Sequence, residues 1–180
     1  MLGVTRFPPP TPDQPKPRPM SQFKPLPPIQ ELQQAFAYDP VTGIFTSKRS
    51  RGSVKAGDPV GTVNGKGSVQ MMLNRRMFLA HRVAWYLMTG NDPMDSLVDH
   101  RDRIATHNWF GNLRLATPVQ NQGNRLGKGW HRTLRGLYRS QISIGDRIVW
   151  LGDYSTPEEA REIYIAKHIE VHGSFSTYFQ

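Results

Sequence analysis

Asp99-His100, eleven residues, Asn112-Leu113-Arg114, six residues and then Asn121 make the densest run of chemistry-bearing side chains in this 180-residue chain. Imidazole titrates near neutral pH, so His100 is a candidate general base toward water. Asp99 and the amide oxygen of Asn121 are hard donors suited to Mg²⁺ or Mn²⁺, ions that take few protein ligands and keep waters and substrate oxygens as the remainder. Arg114 is a candidate phosphate contact. Asp99-His100 alone is a dipeptide that any loop can carry. Its register with Asn112, Asn121 and the helix bearing Asn121 is what gives it chemistry. Asp102, His107 and Asn108 read as loop residues and not as ligands. Neighbours on a strand point to opposite faces, so residues 99 and 100 require a turn or bulge that re-aims one of them.

The elements that must position this run are legible as patterns. Thr117-Pro118-Val119-Gln120 offers a capping hydroxyl, a proline at the first helical position and a glutamine three residues after the cap, which starts the helix carrying Asn121. Ala80, Val83, Ala84, Leu87 and Met88 recur at helical spacing and Gly90 stands where a C-cap glycine would, predicting a helix over residues 79–89. His81 and Arg82 fall on it as surface residues, with Arg82 also a candidate phosphate contact. Asp39-Pro40-Val41-Thr42-Gly43 is a turn before a short strand at 44–46, and Asn64-Gly65 suits a two-residue type I′ turn between strands at 59–63 and 68–73. Gly61, Gly65 and Gly67 are hairpin punctuation and not a phosphate loop, because Lys66 is followed by glycine where such a loop has Ser or Thr.

The run resembles HNH endonucleases of the ββα-metal type, in the phage homing-endonuclease branch whose final histidine is replaced by asparagine. Tyr38 to Gly43, then Gly57-Asp58 and Gly61, then Ala80-His81-Arg82-Val83-Ala84-Trp85 and Gly90 look like the segments that precede the motif in those proteins, so the likeness spans roughly residues 36–124. It implies that His100 deprotonates the attacking water, that Asp99 and Asn121 hold Mg²⁺ or Mn²⁺, and that Asn112 clamps the loop backbone and keeps His100 in place. Phosphodiester cleavage needs that combination of an activated water and a cation to neutralise charge on the phosphate and leaving oxygen. The implied products are a 5′-phosphate and a 3′-hydroxyl.

A second likeness lies downstream. Tyr138, Ser140, Ile142 and Ile144 alternate with Arg139, Gln141 and Ser143, the turn Gly145-Asp146 leads into a strand at 147–151, and Thr156-Pro157-Glu158-Glu159 caps a helix striped by Ala160, Ile163, Tyr164 and Val171. With Gly129-Trp130, Trp150-Leu151-Gly152-Asp153-Tyr154 and His172-Gly173-Ser174-Phe175, residues 128–180 look like the plant ethylene-response-factor (Apetala-type) DNA-binding domain. That resemblance implies a three-stranded antiparallel sheet on one helix, with the sheet in the major groove. Tyr138, Ser140, Ile142, Val149 and Leu151 would face the helix, leaving His131, Arg139, Gln141, Ser143 and Trp150 to meet DNA. Arg135 and Ile148 depart from the family's frequent tryptophan and arginine, so base preference does not transfer. A small sheet scaffold with solvated arginines is the alternative.

Composition agrees with a polyanionic partner: 23 Lys and Arg against 14 Asp and Glu give +9. The excess is +3 over residues 1–28, +3 over 29–95, +2 over 96–127 and +1 over 128–180, where basic strands are offset by an acidic helix. Ten of the 15 prolines fall in the first 28 residues, which predicts a disordered tail, either a linker or a ligand for a proline-recognising partner. The absence of cysteine excludes disulfides, thiolate zinc sites and a cysteine nucleophile. No apolar run reaches the length of a membrane span and the first residues lack a signal-peptide core, so a cytoplasmic location is expected, that of a bacterial host if the gene is phage-borne. The expected fold class is α+β: tail 1–28, ββα-metal HNH nuclease domain 29–127, and sheet-on-helix DNA-binding module 128–180. Double-stranded DNA is the expected partner, no membrane is involved, and oligomeric state is open. The competing function is a DNA-binding regulator whose nuclease centre is unused.

Overall fold

The structure, a computed structural model, describes residues 24–179. Residues 1–23 of the expected tail lie outside the described residues. The tail's last five residues depart from expectation: Pro27 is buried, Leu26 packs on the core, and its N–H donates to Asp92 Oδ2 at 2.9 Å. The folded chain takes them in because Leu26 finds apolar partners and its amide finds a carboxylate.

Helix α1 (Ile29–Ala35) runs into β1 (Phe36–Tyr38), which pairs antiparallel with β2 (Phe45–Ser47), itself paired with β3 (Pro59–Val60). Gly61, at φ +123°, then swings the chain into a second sheet of β4 (Thr62–Val63), β5 (Val69–Leu73) and β6 (Arg76–Leu79). A Cβ at Gly61 would stand 2.7 Å from Val69 Cγ1, so only glycine passes this close. The turn that follows corrects the sequence reading. Asn64 bonds through its N–H to Ser68 O, Gly67 closes back on Asn64 O, and Gly67, not Gly65, has positive φ. The loop is thus three residues ending in a left-handed glycine, the next most common hairpin solution after the two-residue turn. The two-residue type I′ geometry occurs instead between β5 and β6, where Asn74 and Arg75 both have positive φ and Leu73 pairs with Arg76.

Helix α2 (Ala80–Thr89) ends as expected at Gly90, φ +72°, whose N–H donates to Tyr86 O. Its Ala80, Val83 and Ala84 close the core with Leu32, Phe36, Phe45, Met71, Phe78, Val98 and Leu113. Phe45 meets Phe36 edge to face, and removing either large side chain from water is worth about 1.5–3 kcal/mol. The core face of α2 rests against β7 (Leu97–His100), which pairs antiparallel with β8 (Leu113–Ala116). Helix α3 (Pro118–Gly123) follows, started by the expected reciprocal cap of Thr117 and Gln120.

Residues 130–172 form an antiparallel sheet of β9 (Trp130–Arg132), β10 (Tyr138–Ile144) and β11 (Arg147–Tyr154), in the order β11-β10-β9, with α4 (Pro157–His172) packed on it. Ser140, Ile142 and Ala160 are buried between sheet and helix. A bulge opposite Ser140 and Gln141 pairs Ser140 with Gly152 but Gln141 with Trp150, and Thr156 and Glu159 cap α4 reciprocally. The end of α4 returns to α3. Thr177 donates its N–H to Gly123 O at 2.9 Å, and a Cβ on Gly123 would collide with the His172 ring. Among the described residues, no helix is long and apolar enough to cross a membrane.

Candidate active site

Strands β7 and β8 bring Asp99 opposite Arg114 and His100 opposite Leu113 in unbroken register. Of the turn or bulge expected to re-aim one of the pair, the structure shows a turn and no break in this register. Strand β7 simply stops at His100, and the chain turns at once, with Arg103 N–H donating to His100 O at 3.0 Å. The carboxylate and imidazole therefore leave opposite faces of the last two strand residues. Their common reach is the strand's end and free edge, since this sheet pairs β7 with β8 only.

The His100 ring is held from two sides. Its Nε2 lies 3.0 Å from Asn108 Oδ1, in a site where Asn108 is only 2% exposed. The Asn108 amide is oriented by its own Nδ2 donating to Thr106 O, so Oδ1 faces the ring and the proton belongs on Nε2, leaving Nδ1 as acceptor. Asn108 is fixed in turn from upstream. Tyr38 donates its hydroxyl to Asn108 O at 2.7 Å, Phe110 N–H donates to Pro40 O, and Gly43 packs where a Cβ would fall 2.3 Å from Trp109 N. Burial, then the Asp39 charge, push the Tyr38 hydroxyl up to about 12, so it stays a donor. Finally the His81 ring meets the His100 ring edge to face at 5.0 Å. Burial, followed by His100 and Arg82, lowers the His81 pKa to about 3, so His81 is a neutral packing partner whose Nδ1 lacks a partner among the described residues.

Asn112 ties together the intervening loop. Its Oδ1 accepts from Asp102 N–H at 3.0 Å, while Nδ2 donates to Asp102 Oδ1 and to His107 O. Burial opposes ionisation of Asp102, but the Ile104 N–H, the His107 ring and the Asn112 amide outweigh it and hold its pKa below the usual carboxylate range.

Asp99 lies on the other side, toward α3. Arg114 Nε donates to its Oδ2 at 2.9 Å, and Asn124 Nδ2 lies 3.1 Å from both carboxylate oxygens and 2.6 Å from His100 O. Each carboxylate oxygen has two acceptor sites, so Oδ1 keeps one open. Asn121, three residues before Asn124 on the same helix face, makes no side-chain hydrogen bond among the described residues. The second acceptor site of Asp99 Oδ1 and the Asn121 amide are hard donors left uncommitted, and among the described residues no group of three or more His, Cys, Asp or Glu could hold a metal ion.

Residues 78–122 match the family model for HNH endonucleases. The matched segment runs from within β6 to the penultimate residue of α3. A curated protein of Acanthamoeba polyphaga mimivirus, described as an uncharacterized HNH endonuclease, is 30% identical over 126 residues, or 68% of this chain and 62% of that protein. The chain thus spans under two thirds of that relative's length. No solved structure matches the chain. The HNH match takes in His81, Asp99, His100, Asn108, Asn112 and Asn121, and stops short of Asn124 and of the C-terminal sheet.

Two arginines of the HNH segment are placed differently from the sequence reading. Arg82 is 3% exposed and spends its guanidinium on Ser96 O, Met94 O and Asp92, so it pins the loop before β7 and does not face a phosphate. Arg114 is engaged by Asp99, donates to Ser174 O at 3.0 Å, and stacks on the Phe175 ring at 3.9 Å, so it also is committed inside the fold. Asn108 is a loop residue as expected, but one that bonds His100, and Asn124 is not among the residues that type and spacing single out. For Asn124 the signal was available in its i, i+3 spacing from Asn121. For Asn108 only the folded loop supplies one.

Beyond the HNH segment, the C-terminal sheet presents His131, Arg139, Gln141, Ser143 and Trp150 on the face away from α4. Arg139 pairs with His131 and Gln141 with Trp150 across the strands, and Trp150 is 64% exposed. Arg139 is not free: its fork meets both Asp153 oxygens at 2.7 and 2.8 Å, which raises its own pKa and lowers that of Asp153. An open cleft of about 550 Å³ joins this sheet to α3, lined by Gln122, Arg125, Trp130, His131 and Gln141.

Proposed function

We propose that the chain is a metal-dependent endonuclease that hydrolyses phosphodiester bonds of double-stranded DNA, with His100 as general base. The observation that carries this reading is the bond from His100 to Asn108 inside the segment matched by HNH endonucleases. It fixes the tautomer that leaves Nδ1 to take a proton. Asp99 and Asn121 would hold Mg²⁺ or Mn²⁺, and that ion would neutralise charge on the scissile phosphate and the leaving oxygen. As water attacks phosphorus, His100 Nδ1 takes its proton, the P–O3′ bond breaks, and O3′ leaves with the electron pair and takes a proton from solvent, giving a 5′-phosphate and a 3′-hydroxyl. Asn112 keeps the loop closed so that the imidazole does not swing.

The module at 128–180 we read as a DNA-binding sheet of the ethylene-response-factor type. Gln141 and Ser143 offer hydrogen bonds to base edges, and Trp150 offers a flat apolar ring for sugars or thymine methyls. Arg139 reaches a guanine only by exchanging Asp153 for it.

Incubating supercoiled plasmid with the protein tests the nuclease reading. Nicked or linear DNA is expected with Mg²⁺ and none with EDTA, and nicks should be sealed by a ligase that requires a 5′-phosphate. Intact plasmid in both Mg²⁺ and Mn²⁺, with DNA still retarded on a gel, would favour the DNA-binding regulator instead.

A further inference from the structure

Arg114 lies between two parts of the chain that the sequence reading treats as separate modules. On one side its Nε donates to Asp99 Oδ2 at 2.9 Å; on the other its Nη1 donates to Ser174 O at 3.0 Å and its guanidinium lies over the Phe175 ring at 3.9 Å. Arg114 is 11% exposed in its side chain and Asp99 8%, so water screens this pair weakly and its geometry counts. The segment after α4 that supplies Ser174 and Phe175 is itself anchored to the HNH side. Thr177 N–H donates to Gly123 O, Arg103 Nη1 donates to Thr177 Oγ1 at 2.9 Å, and the Tyr178 hydroxyl donates to Gly127 O at 2.8 Å. Without Phe175 and the Ser174 carbonyl, the long Arg114 side chain would regain its rotamers and the Asp99 carboxylate would lose one of its two side-chain anchors.

We infer that Ser174 and Phe175 of the C-terminal module act through Arg114 as positioning residues for Asp99, so that the module completes the nuclease centre as well as contacting DNA. This rests on the proposed nuclease reading for its catalytic consequence, though not for the contact itself. A cation stacked on an aromatic face and a charge-assisted bond to a carboxylate each fix direction as well as add energy. The module's docking therefore sets which lone pair of Asp99 stays open.

Full-length Phe175→Ala and Phe175→Tyr test it, with Arg114→Lys to identify the Arg114 side-chain Nε–H signal by NMR. In the wild type that signal should show slow exchange and the shift of a carboxylate-bonded Nε–H, lost in Asp99→Asn. Phe175→Ala should lose it and lower kcat on plasmid about 10-fold or more while KM and DNA retention stay within about 2-fold, and Phe175→Tyr should restore both. An unchanged Nε–H signal in folded Phe175→Ala would overturn the inference, as would a loss of activity carried in KM or left unrescued by tyrosine. If the wild type does not cut DNA but the Nε–H signal responds as described, the nuclease reading fails and the positioning contact stands.

Discussion

His100 owes its catalytic assignment to one neutral partner. Asn108 Oδ1 accepts from Nε2, and no carboxylate lies in that bond. Replacing Asn108 by leucine removes the acceptor and leaves the imidazole free to take either tautomer. The expected result is a kcat on plasmid lowered by about 10- to 100-fold, with KM little changed, measured by nicking kinetics at saturating Mg²⁺. His81 behaves differently. Its folded pKa is lowered to about 3 from an ordinary 6.5, so between those values the unfolded chain binds a proton that the native chain refuses. The stability it contributes is complete above about pH 6.5 and is lost as pH falls toward 3. His168, lowered to about 4 by burial and then by His172, adds to the same loss. Thermal unfolding from pH 7.5 to 4.5 should show a falling Tm, and His81→Phe should flatten that fall by several degrees. Parallel curves for the two proteins would refute the assignment. Asp99, His100, Asn112 and Asn121 stand out by type and spacing as the expected site. The commitments of Arg82 and Arg114 were not, because an arginine's sequence position says nothing of whether a carbonyl or carboxylate awaits it in the fold.

Among the elements, the turn at 39–43 supports the proposed general base from outside the HNH match. It touches the 108–110 segment through Tyr38, Pro40 and Gly43, and so buttresses Asn108. Gly43→Ala would drive a Cβ into the Trp109 backbone at a positive φ of 76°. It should cost about 1–3 kcal/mol in denaturant unfolding and lower cleavage further than the lost folded fraction explains. The other element of consequence is the joint between α3 and the β10–β11 turn. Gln122 Nε2 donates to Gly145 O and Gly145 N–H donates to Gln122 Oε1, tying the Asn121 helix to the sheet proposed to read DNA. Gln122→Ala should therefore spread cleavage over neighbouring phosphates when products are mapped on a single-site duplex, with total binding unchanged. Helix α2, its glycine cap, both capping boxes and the alternation of β10 could be read in advance, since each is a local pattern of period or cap. The three-residue loop at 65–67, strand β6 and the straight register through residues 99 and 100 could not, because glycine placement in a turn and strand pairing depend on the partner strand.

For the whole molecule, the two sequence-defined modules are joined through residues 123–128 and 172–178 into contacts that reach Asp99 itself. On the proposed DNA-binding reading, the +9 charge neutralises several phosphates and releases their counterions, so DNA affinity should fall by about 10-fold or more between 50 and 200 mM salt. A flat salt response would mean that contacts to phosphate do not dominate. Charge by segment was legible at once, whereas the docking of residues 174–178 onto the HNH side was not, since nothing in a string of residues announces that a terminal turn will meet an arginine sixty positions upstream. In the proposed function His100 acts on water and does not merely hold the fold. That role is tested most directly by His100→Ala compared with wild type in one plasmid-nicking and gel-retardation experiment with Mg²⁺. Cleavage should fall by about 100-fold or more with DNA retention and Tm near wild type. Wild-type cleavage by the variant, or a loss of binding equal to the loss of cutting, would contradict it.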